Sequence, residues 1–392
     1  MNETIYLDNA ATTPIDPGVY NAMLPWLNWG SDGYGNAGSL HSLGRRAKQA
    51  VENARVQVAE FIGSEPEQII FTSGGTEGNN LVFLGLEDHL RKVNRKKLLV
   101  SAIEHDSVLN AANAMQIKRG FHVCKIPPCL DGRVVFEDAA CLLDGSVGLV
   151  SVMLSNNETG VFNPDVPWIA AESHRCGALF HTDAVQAAGF EKLDVEKLDC
   201  DFMTISSHKI HGPKGIGAVF AKDPSLLSPV LYGGSNQEFG LRGGTENVAG
   251  IVGFGKACEI AGRELEQNRL RIEHAAVVFL NTLHQRLGDS CEKNGLPDLV
   301  HNKAVNILFR GVDAETLLLA LDGCGVCASA GSACNSVDLV PSHVLLAMGL
   351  TPEEAKSSVR FSFSKWIGPH EAAQAANIVA NCVEHLRGVS HG

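Results

Sequence analysis

Short apolar runs alternate with amphipathic segments through the first two thirds of the chain. Six of these runs predict strands buried on both faces: IIFT (69–72), LLVS (98–101), VGLVSVML (147–154), ALFHTD (178–183), FMTIS (202–206) and IGAVFA (216–221). Continuous apolar strands separated by helices are typical of a mainly parallel sheet with helices on both faces. Between residues 47 and 62, apolar side chains recur every three or four positions, which predicts one of the covering helices.

The pattern changes after about residue 250. Apolar positions from 272 to 287 predict a long helix, residues 304–309 predict a single separate strand, and residues 314–321 and 373–387 predict further helices. We therefore expect a large α/β domain over residues 15–260. A smaller α+β domain is expected to combine residues 1–14 with residues 261–392. No internal repeat or proline-rich linker separates the two, so we expect them to pack tightly.

Composition narrows the class of protein. The chain has 392 residues, of which 45% are apolar and 19% charged, as in a globular protein. Its net charge of −12 argues against a nucleic-acid-binding surface. No apolar stretch approaches the roughly 18 residues of a membrane span, and the N-terminus lacks the features of a signal peptide. The 11 cysteines follow no regular spacing. We expect a soluble cytoplasmic protein with reduced thiols.

The segment FMTISSHKIHGPKG (202–215) places Lys209 where a buried strand ends and a glycine-containing loop begins. Ser206, Ser207 and His208 precede it and can hydrogen-bond to an anion such as a phosphate. A lysine partly removed from water has a lowered pKa, and its neutral amine can attack a carbonyl group. The segment suggests a Schiff-base lysine beside a phosphate site, as pyridoxal phosphate requires. Taken alone it is weak, because most lysines are solvated surface charges.

A second strand end carries a glycine turn. In IIFTSGGTEGNN (69–80) a strand is followed by Ser-Gly-Gly-Thr and the start of a helix. The backbone amides of Gly74, Gly75 and Thr76 at this helix N-terminus can bind an anion, with the Thr76 hydroxyl as a further donor. The segment is neither a Walker loop nor a dinucleotide fingerprint. On its own, an ordinary strand-to-helix turn explains it equally well.

Polar side chains follow three further strands. Asp183 can pair with a protonated pyridine nitrogen, and Gln186 can reach the phenolic oxygen of the same ring. His105 can stack on a ring and exchange protons near pH 7. Asn156 and Asn157 can cap a turn or contact a ligand oxygen. Each residue also has an ordinary structural explanation, such as a helix N-cap for the aspartate. Their shared position at strand ends favours one common site.

A loop of small residues, CASAGSACNS (327–336), carries Cys334. Gly331 and the neighbouring serines and alanines predict a mobile, exposed loop, which is an unusual place for a free cysteine. Its thiol would need a nearby basic group to become a good nucleophile. The pair Cys324 and Cys327 is interpreted as structural, and no metal site is predicted.

Together these motifs resemble the cysteine desulfurases of the NifS/IscS type, in the pyridoxal-phosphate-dependent aminotransferase class V superfamily. The resemblance runs from residue 6 to residue 364 and includes, in the family's order, YLDNAATT, GYGNAGSLH, FTSGGTEGNN, EHDSVL, NNETG, HTDAVQ, SSHKIHGPKG, LRGGTEN and GSACNS. It implies fold type I, with a mainly parallel sheet of the seven-stranded type in the large domain. It also implies a homodimer that uses pyridoxal phosphate as its cofactor.

The resemblance assigns cofactor contacts to individual residues. The phosphate would be contacted by Gly75, Thr76, Ser206 and His208. Asp183 would pair with the pyridine nitrogen, and His105 would stack on the ring. Asn157 and Gln186 would contact the phenolic oxygen. Thr245 matches a phosphate ligand that the second subunit lends.

The implied reaction removes sulfur from L-cysteine. Lys209 would hold the cofactor covalently and carry protons together with His105. Asn36 and Arg360 match the positions that hold the substrate carboxylate. Cys334 would attack the substrate's sulfur, and its persulfide would pass to an acceptor protein, for iron–sulfur cluster assembly or thiolation. A selenocysteine lyase, a transaminase and a catalytically inactive scaffold remain alternatives.

Overall fold

Helices and strands alternate along the chain in a computed structural model that describes residues 4–234, 237–295, 303–331 and 340–390. Its helices are α1 Pro17–Leu27, α2 Ser42–Ile62, α3 Gly75–Gly85, α4 Glu87–Lys92, α5 Asp106–Arg119, α6 Phe136–Ala140, α7 Val166–Arg175, α8 Val195–Leu198, α9 Val248–Leu287, α10 Ala314–Gly323, α11 His343–Ala347, α12 Pro352–Lys356 and α13 Pro369–Ser390. Its strands are β1 Ile5–Tyr6, β2 Ile69–Thr72, β3 Lys97–Ser101, β4 His122–Ile126, β5 Val147–Ser151, β6 Leu179–Asp183, β7 Phe202–Ser206, β8 Gly217–Ala221, β9 Cys291–Asn294, β10 Ala304–Phe309, β11 Val326–Cys327 and β12 Ser358–Ser362.

The large sheet has seven strands in the order β2-β8-β7-β6-β5-β3-β4. Its pairs are parallel except those of β8, which runs antiparallel to both β2 and β7. The mainly parallel, seven-stranded prediction is confirmed, and all six predicted strands are present. The sequence pattern missed β4, an edge strand in which His122 and Lys125 are exposed. Because β2, β3, β5, β6 and β7 point the same way, their carboxyl ends share one edge, where such sheets bind ligands.

The predicted helix near residues 47–62 is confirmed as α2. The side chains of Ala47, Val51, Ala54, Val58 and Ile62 are buried, as their spacing requires for one face of a helix. The helix ends at Gly63, whose φ of 72° lies in the left-handed region that glycine adopts without strain.

The C-terminal third forms a second sheet and a second core. Strand β10 was predicted as a single separate strand, and that prediction is wrong: β10 is the centre of a three-stranded antiparallel sheet in the order β12-β10-β9. Its partners were missed because CEKN and SVRFS carry charged residues. Buried aromatic side chains from α9, β10, β12 and the following segment form this core, including Phe279, Phe309, Phe361 and Phe363.

Helix α9 joins the two cores as one continuous helix of 40 residues. The predicted helix over 272–287 is its C-terminal part. Its first half buries Ile251, Phe254 and Ala257 in the core of the large sheet, and its second half buries Ile272 and Phe279 in the other core. The helix passes without a break through residue 260, where the domain boundary was predicted. The division into two domains stays a prediction. None of the helices in the described ranges is long and apolar enough to cross a membrane.

Candidate active site

A cavity of about 180 Å³ lies at the carboxyl edge of the large sheet. It is lined by Ala10, Ala11, Gly75, Thr76, Asn79, His105, Ser107, Met153, Asn157, Asp183, Val185, Gln186, Ser206, His208, Lys209 and Arg360. Ten of these positions were predicted as site residues from the sequence, and the fold brings them together from separate strand ends.

Lys209 lies in a 3₁₀ turn directly after β7, so the strand delivers its amine to the cavity. The Nζ atom donates hydrogen bonds to the carbonyl oxygens of Ala10 and Ala11, the second at 2.8 Å. Burial and then the cations of Arg360 and Lys303 lower the pKa of the Lys209 amine to about 7. A substantial fraction of the amine is therefore neutral at physiological pH, as nucleophilic attack on a carbonyl requires.

Asp183 is buried at the end of β6, and its carboxylate is held from two sides. Asn79 Nδ2 donates to Oδ2 at 2.8 Å, and the backbone amide of Val185 donates to Oδ1 at 3.0 Å. Asn79 also donates to Ser107 Oγ at 2.8 Å, and Ser107 Oγ lies 2.8 Å from His105 Nδ1. This chain of contacts fixes a carboxylate and an imidazole against the same cavity.

His105 sits at the N-cap of α5, where its Nδ1 accepts a hydrogen bond from the Ser107 amide at 3.1 Å. The preceding residue, Glu104, is fully buried, and burial raises the pKa of its carboxyl group to about 8. Glu104 Oε1 accepts hydrogen bonds from Ser101 Oγ at 2.7 Å and from the Met153 amide at 2.6 Å. A carboxyl group thus ties the ends of β3 and β5 beneath the cavity.

The glycine turn and Ser206 form a site for an anion. Helix α3 begins at Gly75, and the amides of a helix's first turn have no partner within the helix. Ser206 Oγ is buried, and within the described part of the chain no group hydrogen-bonds to it. A Cβ atom added to Gly75 would lie 3.0 Å from Val185 Cγ2, so the turn packs closely against the segment after β6.

His208 and Gln186 reach the N-terminal segment that crosses the cavity. His208 Nδ1 lies 3.1 Å from Thr12 Oγ1, and Gln186 Nε2 donates to the Ala10 carbonyl at 2.9 Å. Burial, assisted by the charge of Lys209, lowers the pKa of His208 to about 4, so its ring is neutral at pH 7. A neutral imidazole can still donate one hydrogen bond to an anion.

Arg360 brings a guanidinium group to the cavity from β12 of the smaller sheet. Its side chain is buried, with Nη2 donating to Asp8 Oδ1 at 2.8 Å and Nη1 to the Asn157 carbonyl at 3.0 Å. The Nε donor has no hydrogen-bond partner among the described residues. An arginine held in this way can receive a carboxylate.

The two asparagines of SNNETG have different roles. Asn156 is a turn residue, because its Oδ1 accepts the amides of Glu158 and Thr159 and its Nδ2 donates to the Ile103 carbonyl. Asn157 lines the cavity. Glu158 of the same turn lies near residues on both sides of Cys334 in the sequence: Ser342 Oγ donates to Glu158 Oε2 at 2.5 Å, and a Cβ atom added to Gly331 would lie 3.4 Å from that oxygen.

Three predicted site residues are not among those that line the cavity. Thr245 is exposed in the segment before α9. Asn36 is also exposed, and its Oδ1 accepts the Gly38 amide at 2.8 Å. Cys334 lies outside the described residues. Their functional roles stay predictions.

Sequence reasoning missed Asn79 and Ser107, which support Asp183 and His105. The signal for Asn79 was its spacing of four residues from Gly75, which places both on one face of α3. Ser107 stands two residues after His105, in the first turn of α5. Neither residue type is specific enough to predict such a role from one sequence.

The donor set fits pyridoxal phosphate. One cavity is lined by three features: an anion site with the buried Ser206 hydroxyl, which has no partner among the described residues, the Asp183 carboxylate, which the Asn79 amide fixes, and the Lys209 amine, whose pKa is lowered. These correspond to the phosphate, the ring nitrogen and the aldehyde carbon of that cofactor.

Comparison with known proteins decides the family. The model of the aminotransferase class-V family matches residues 5–367. The chain belongs to the aminotransferase class-V family. Within this family it is 37% identical over 390 residues to the cysteine desulfurase IscS of Dictyoglomus turgidum, covering 100% of this chain and 97% of that protein. It is 38% identical over 388 residues to a cysteine desulfurase of Nostoc sp., covering 98% and 94%.

Solved structures of class-V relatives have the same fold. A NifS-like protein superposes with a TM-score of 0.89 at 30% identity, covering 97% of this chain and 100% of that one. A structure described as SspA in complex with cysteine gives a TM-score of 0.79 at 32% identity, covering 93% and 99%. The predicted fold class and family are confirmed.

Proposed function

We propose that this protein is a cysteine desulfurase that uses pyridoxal phosphate to convert L-cysteine to L-alanine and a persulfide on Cys334. One observation carries the proposal: the amine of Lys209, the carboxylate of Asp183 and the buried guanidinium of Arg360 line a single cavity. The first two suit the cofactor, and the third suits the carboxylate of an amino-acid substrate.

The choice of L-cysteine is supported by the relatives. Curated relatives covering nearly the whole chain are named cysteine desulfurases, and one relative of known structure is described as a complex with cysteine. They support sulfur chemistry over transamination at the same scaffold.

Besides Lys209, which would hold the cofactor covalently, and Thr245 of a second subunit, eight residues are proposed to contact the cofactor. They are Gly75, Thr76, Ser206 and His208 at the phosphate, Asp183 at the ring nitrogen, His105 on the ring, and Asn157 and Gln186 at the phenolic oxygen. When bound, pyridoxal phosphate supplies an electron sink that stabilises negative charge on the substrate's α-carbon. Asp183 would keep the ring nitrogen protonated, and Asn79 holds that carboxylate in place.

Arg360 orients the substrate by binding its carboxylate, and Asn36 is proposed to assist. Lys209, with a pKa near 7, accepts the proton from the substrate's α-carbon and later returns one to the product. His105 is the second proton carrier, since its ring faces the cavity and is fixed through Ser107.

Cys334 accounts for the fate of the sulfur. Its thiolate attacks the substrate's sulfur, so that the new sulfur–sulfur bond forms as the carbon–sulfur bond breaks. The electron pair of the broken bond stays on the carbon product, which takes up protons and leaves as alanine. The persulfide then passes to an acceptor protein by thiol exchange, in iron–sulfur cluster assembly or in thiolation. The proposed location is the cytoplasm.

A homodimer is proposed because Thr245 is expected to complete the phosphate site of a second subunit. Thr245 is exposed and does not line the cavity of its own chain. Trp29, 94% exposed, and Tyr232, 82% exposed, are large apolar side chains that a second subunit could cover.

The test compares Cys334→Ser with Cys141→Ser, a substitution at an exposed cysteine outside the cavity. Both variants should bind pyridoxal phosphate with the absorbance of the unaltered protein. Only Cys334→Ser should lose the persulfide, measured by mass spectrometry after incubation with L-cysteine, together with sulfide and alanine release. Full sulfide release by Cys334→Ser would contradict the proposal. Turnover of selenocysteine alone would indicate a selenocysteine lyase, and failure to bind the cofactor would indicate a scaffold.

A further inference from the structure

Lys303 is a buried lysine outside the sequence motifs. It immediately precedes β10 of the smaller sheet, and its Nζ lies 3.3 Å from each of three backbone carbonyl oxygens, those of Gln186, Ala188 and Lys209. All three carbonyls belong to the segments after β6 and β7 that carry site residues. One ammonium group from the small sheet therefore connects two loops of the large sheet behind the cavity.

The charge of Lys303 is not neutralised within the described part of the chain, where its hydrogen-bond partners are the three carbonyls. Lys365 offers a contrast, because it lines the same small cavity as Lys303 but pairs with Asp16 at 2.7 Å and Glu264 at 3.2 Å. Burial lowers the pKa of Lys303 to about 8, so the ammonium is still mostly protonated at pH 7.

Other charges around Lys209 compensate one another. Arg360 favours the neutral amine but is itself paired with Asp8 at 2.8 Å. Asp183 favours the charged amine. The remaining titratable groups near the two lysines are His105, which lines the cavity with Lys209, then His208, His211, and Lys365 with its partners Asp16 and Glu264. Burial lowers the pKa values of His208 and His211 to about 4, so these two rings are neutral at pH 7.

We propose that Lys303 is a positioning residue for Lys209. Its ammonium holds the carbonyls of Gln186, Ala188 and Lys209 at one point, and its charge favours the neutral form of the Lys209 amine. The inference rests on the proposed role of Lys209 as the cofactor lysine. The reactivity of Lys209 is then set partly by a second lysine, which the smaller sheet contributes.

The test measures the titration of Lys209 in the full chain, in two states. With cofactor bound, the pH midpoint of the change in cofactor absorbance is recorded. With cofactor removed, the rate at which trinitrobenzenesulfonate labels Lys209 is followed by peptide mass spectrometry against pH. Both readouts are independent of turnover, so a failure here is distinguishable from an inability to desulfurate cysteine.

Lys303→Met should raise both midpoints by about one pH unit, the size expected when a neighbouring like charge is removed. Lys303→Arg keeps the charge and should restore midpoints close to those of the unaltered protein. Lys214→Met is the matched control, because Lys214 is exposed five residues after Lys209 and is screened by solvent. It should leave both midpoints unchanged.

Unchanged midpoints in Lys303→Met would overturn the proposal, as would equal shifts in the Met and Arg variants, which would indicate a packing role alone. If Lys303→Met does not fold, Lys303→Gln provides the uncharged side chain. The unaltered chain gives a further check. Half-maximal labelling of Lys209 near pH 10, the ordinary pKa of a solvated lysine, would contradict the proposal.

Discussion

The two walls of the cavity come from different sheets and differ in electrostatic character. The wall from the large sheet presents the carboxylate of Asp183, the neutral side chains of Asn79 and Ser206, and the Lys209 amine, whose pKa is lowered to about 7. The wall from the small sheet presents Arg360, with Lys303 behind the cavity, and both are buried cations. We infer that the first wall retains a cofactor, while the second binds a transient carboxylate and adjusts the reactivity of Lys209.

Removing the charge of Asp183 is the most severe test of the large-sheet wall. Asp183→Asn preserves the shape of the side chain and can keep one bond from Asn79, but it lacks the negative charge that is proposed to stabilise a protonated ring nitrogen. We expect turnover to fall about 10²- to 10³-fold, as when a preorganised electrostatic partner is removed, while the cofactor stays bound. Steady-state kinetics and cofactor absorbance measure the two effects.

Asp144→Asn is the control, since Asp144 forms an exposed ion pair with Lys97. It should change turnover by less than about twofold. If Asp183→Asn loses the cofactor but the remaining loaded fraction turns over normally, Asp183 serves retention only, and the division between the walls is wrong.

A smaller effect is expected for Arg360→Lys on the other wall. Lysine keeps the charge but loses the planar fork that bonds Asp8 and Asn157 and can receive a carboxylate. We expect KM for L-cysteine to rise roughly 10- to 100-fold with the cofactor still bound, as for the loss of a charged hydrogen bond. Arg310→Lys, at an exposed arginine paired with Glu292 and Glu354, should leave KM unchanged. Weakened cofactor binding with an unaltered KM would reverse the assignment.

Glu104→Gln, at the residue before His105, is expected to have the smallest effect on turnover and to change stability instead. The folded pKa of Glu104 is raised from 4.5 to about 8, so between these values the native state binds more protons than the unfolded state. This group's contribution is therefore fully present below pH 4.5 and is lost as the pH rises through 8. Glutamine does not ionise, so the variant lacks this pH dependence.

We compare the free energy of unfolding of Glu104→Gln with that of the unaltered protein. The difference should increase by up to about 1.4 kcal/mol for each pH unit between pH 5 and pH 8 and then level off. Thermal or denaturant unfolding across this range measures it. A difference that is constant with pH would show that Glu104 is ionised in the folded protein. Glu137→Gln, at an exposed position, serves as the reference.

The two walls also differed in how far the sequence predicted them. The large-sheet wall was predictable because its strands are continuously apolar and its functional side chains stand at their ends, as with Asp183 and His105. The strands of the smaller sheet were not, because β9 and β12 carry charged residues, and Arg360 of β12 was identified only through the family resemblance. Lys303 had no local signal at all: its role depends on carbonyl groups more than 90 residues away in sequence.

The position of Glu158 has a consequence for the length of the segment between Gly331 and Ser342. Ser342, which follows the segment that contains Cys334, donates to this carboxylate, and Gly331, which precedes that segment, lies close enough that an added Cβ atom would be 3.4 Å from it. When the two ends of a chain segment lie close together, the entropy of closing the segment grows only slowly with its length, by about 0.6 kcal/mol for each doubling. Insertions between these two residues should therefore change the free energy of unfolding little, so the length of this segment can evolve separately from the fold of the two sheets.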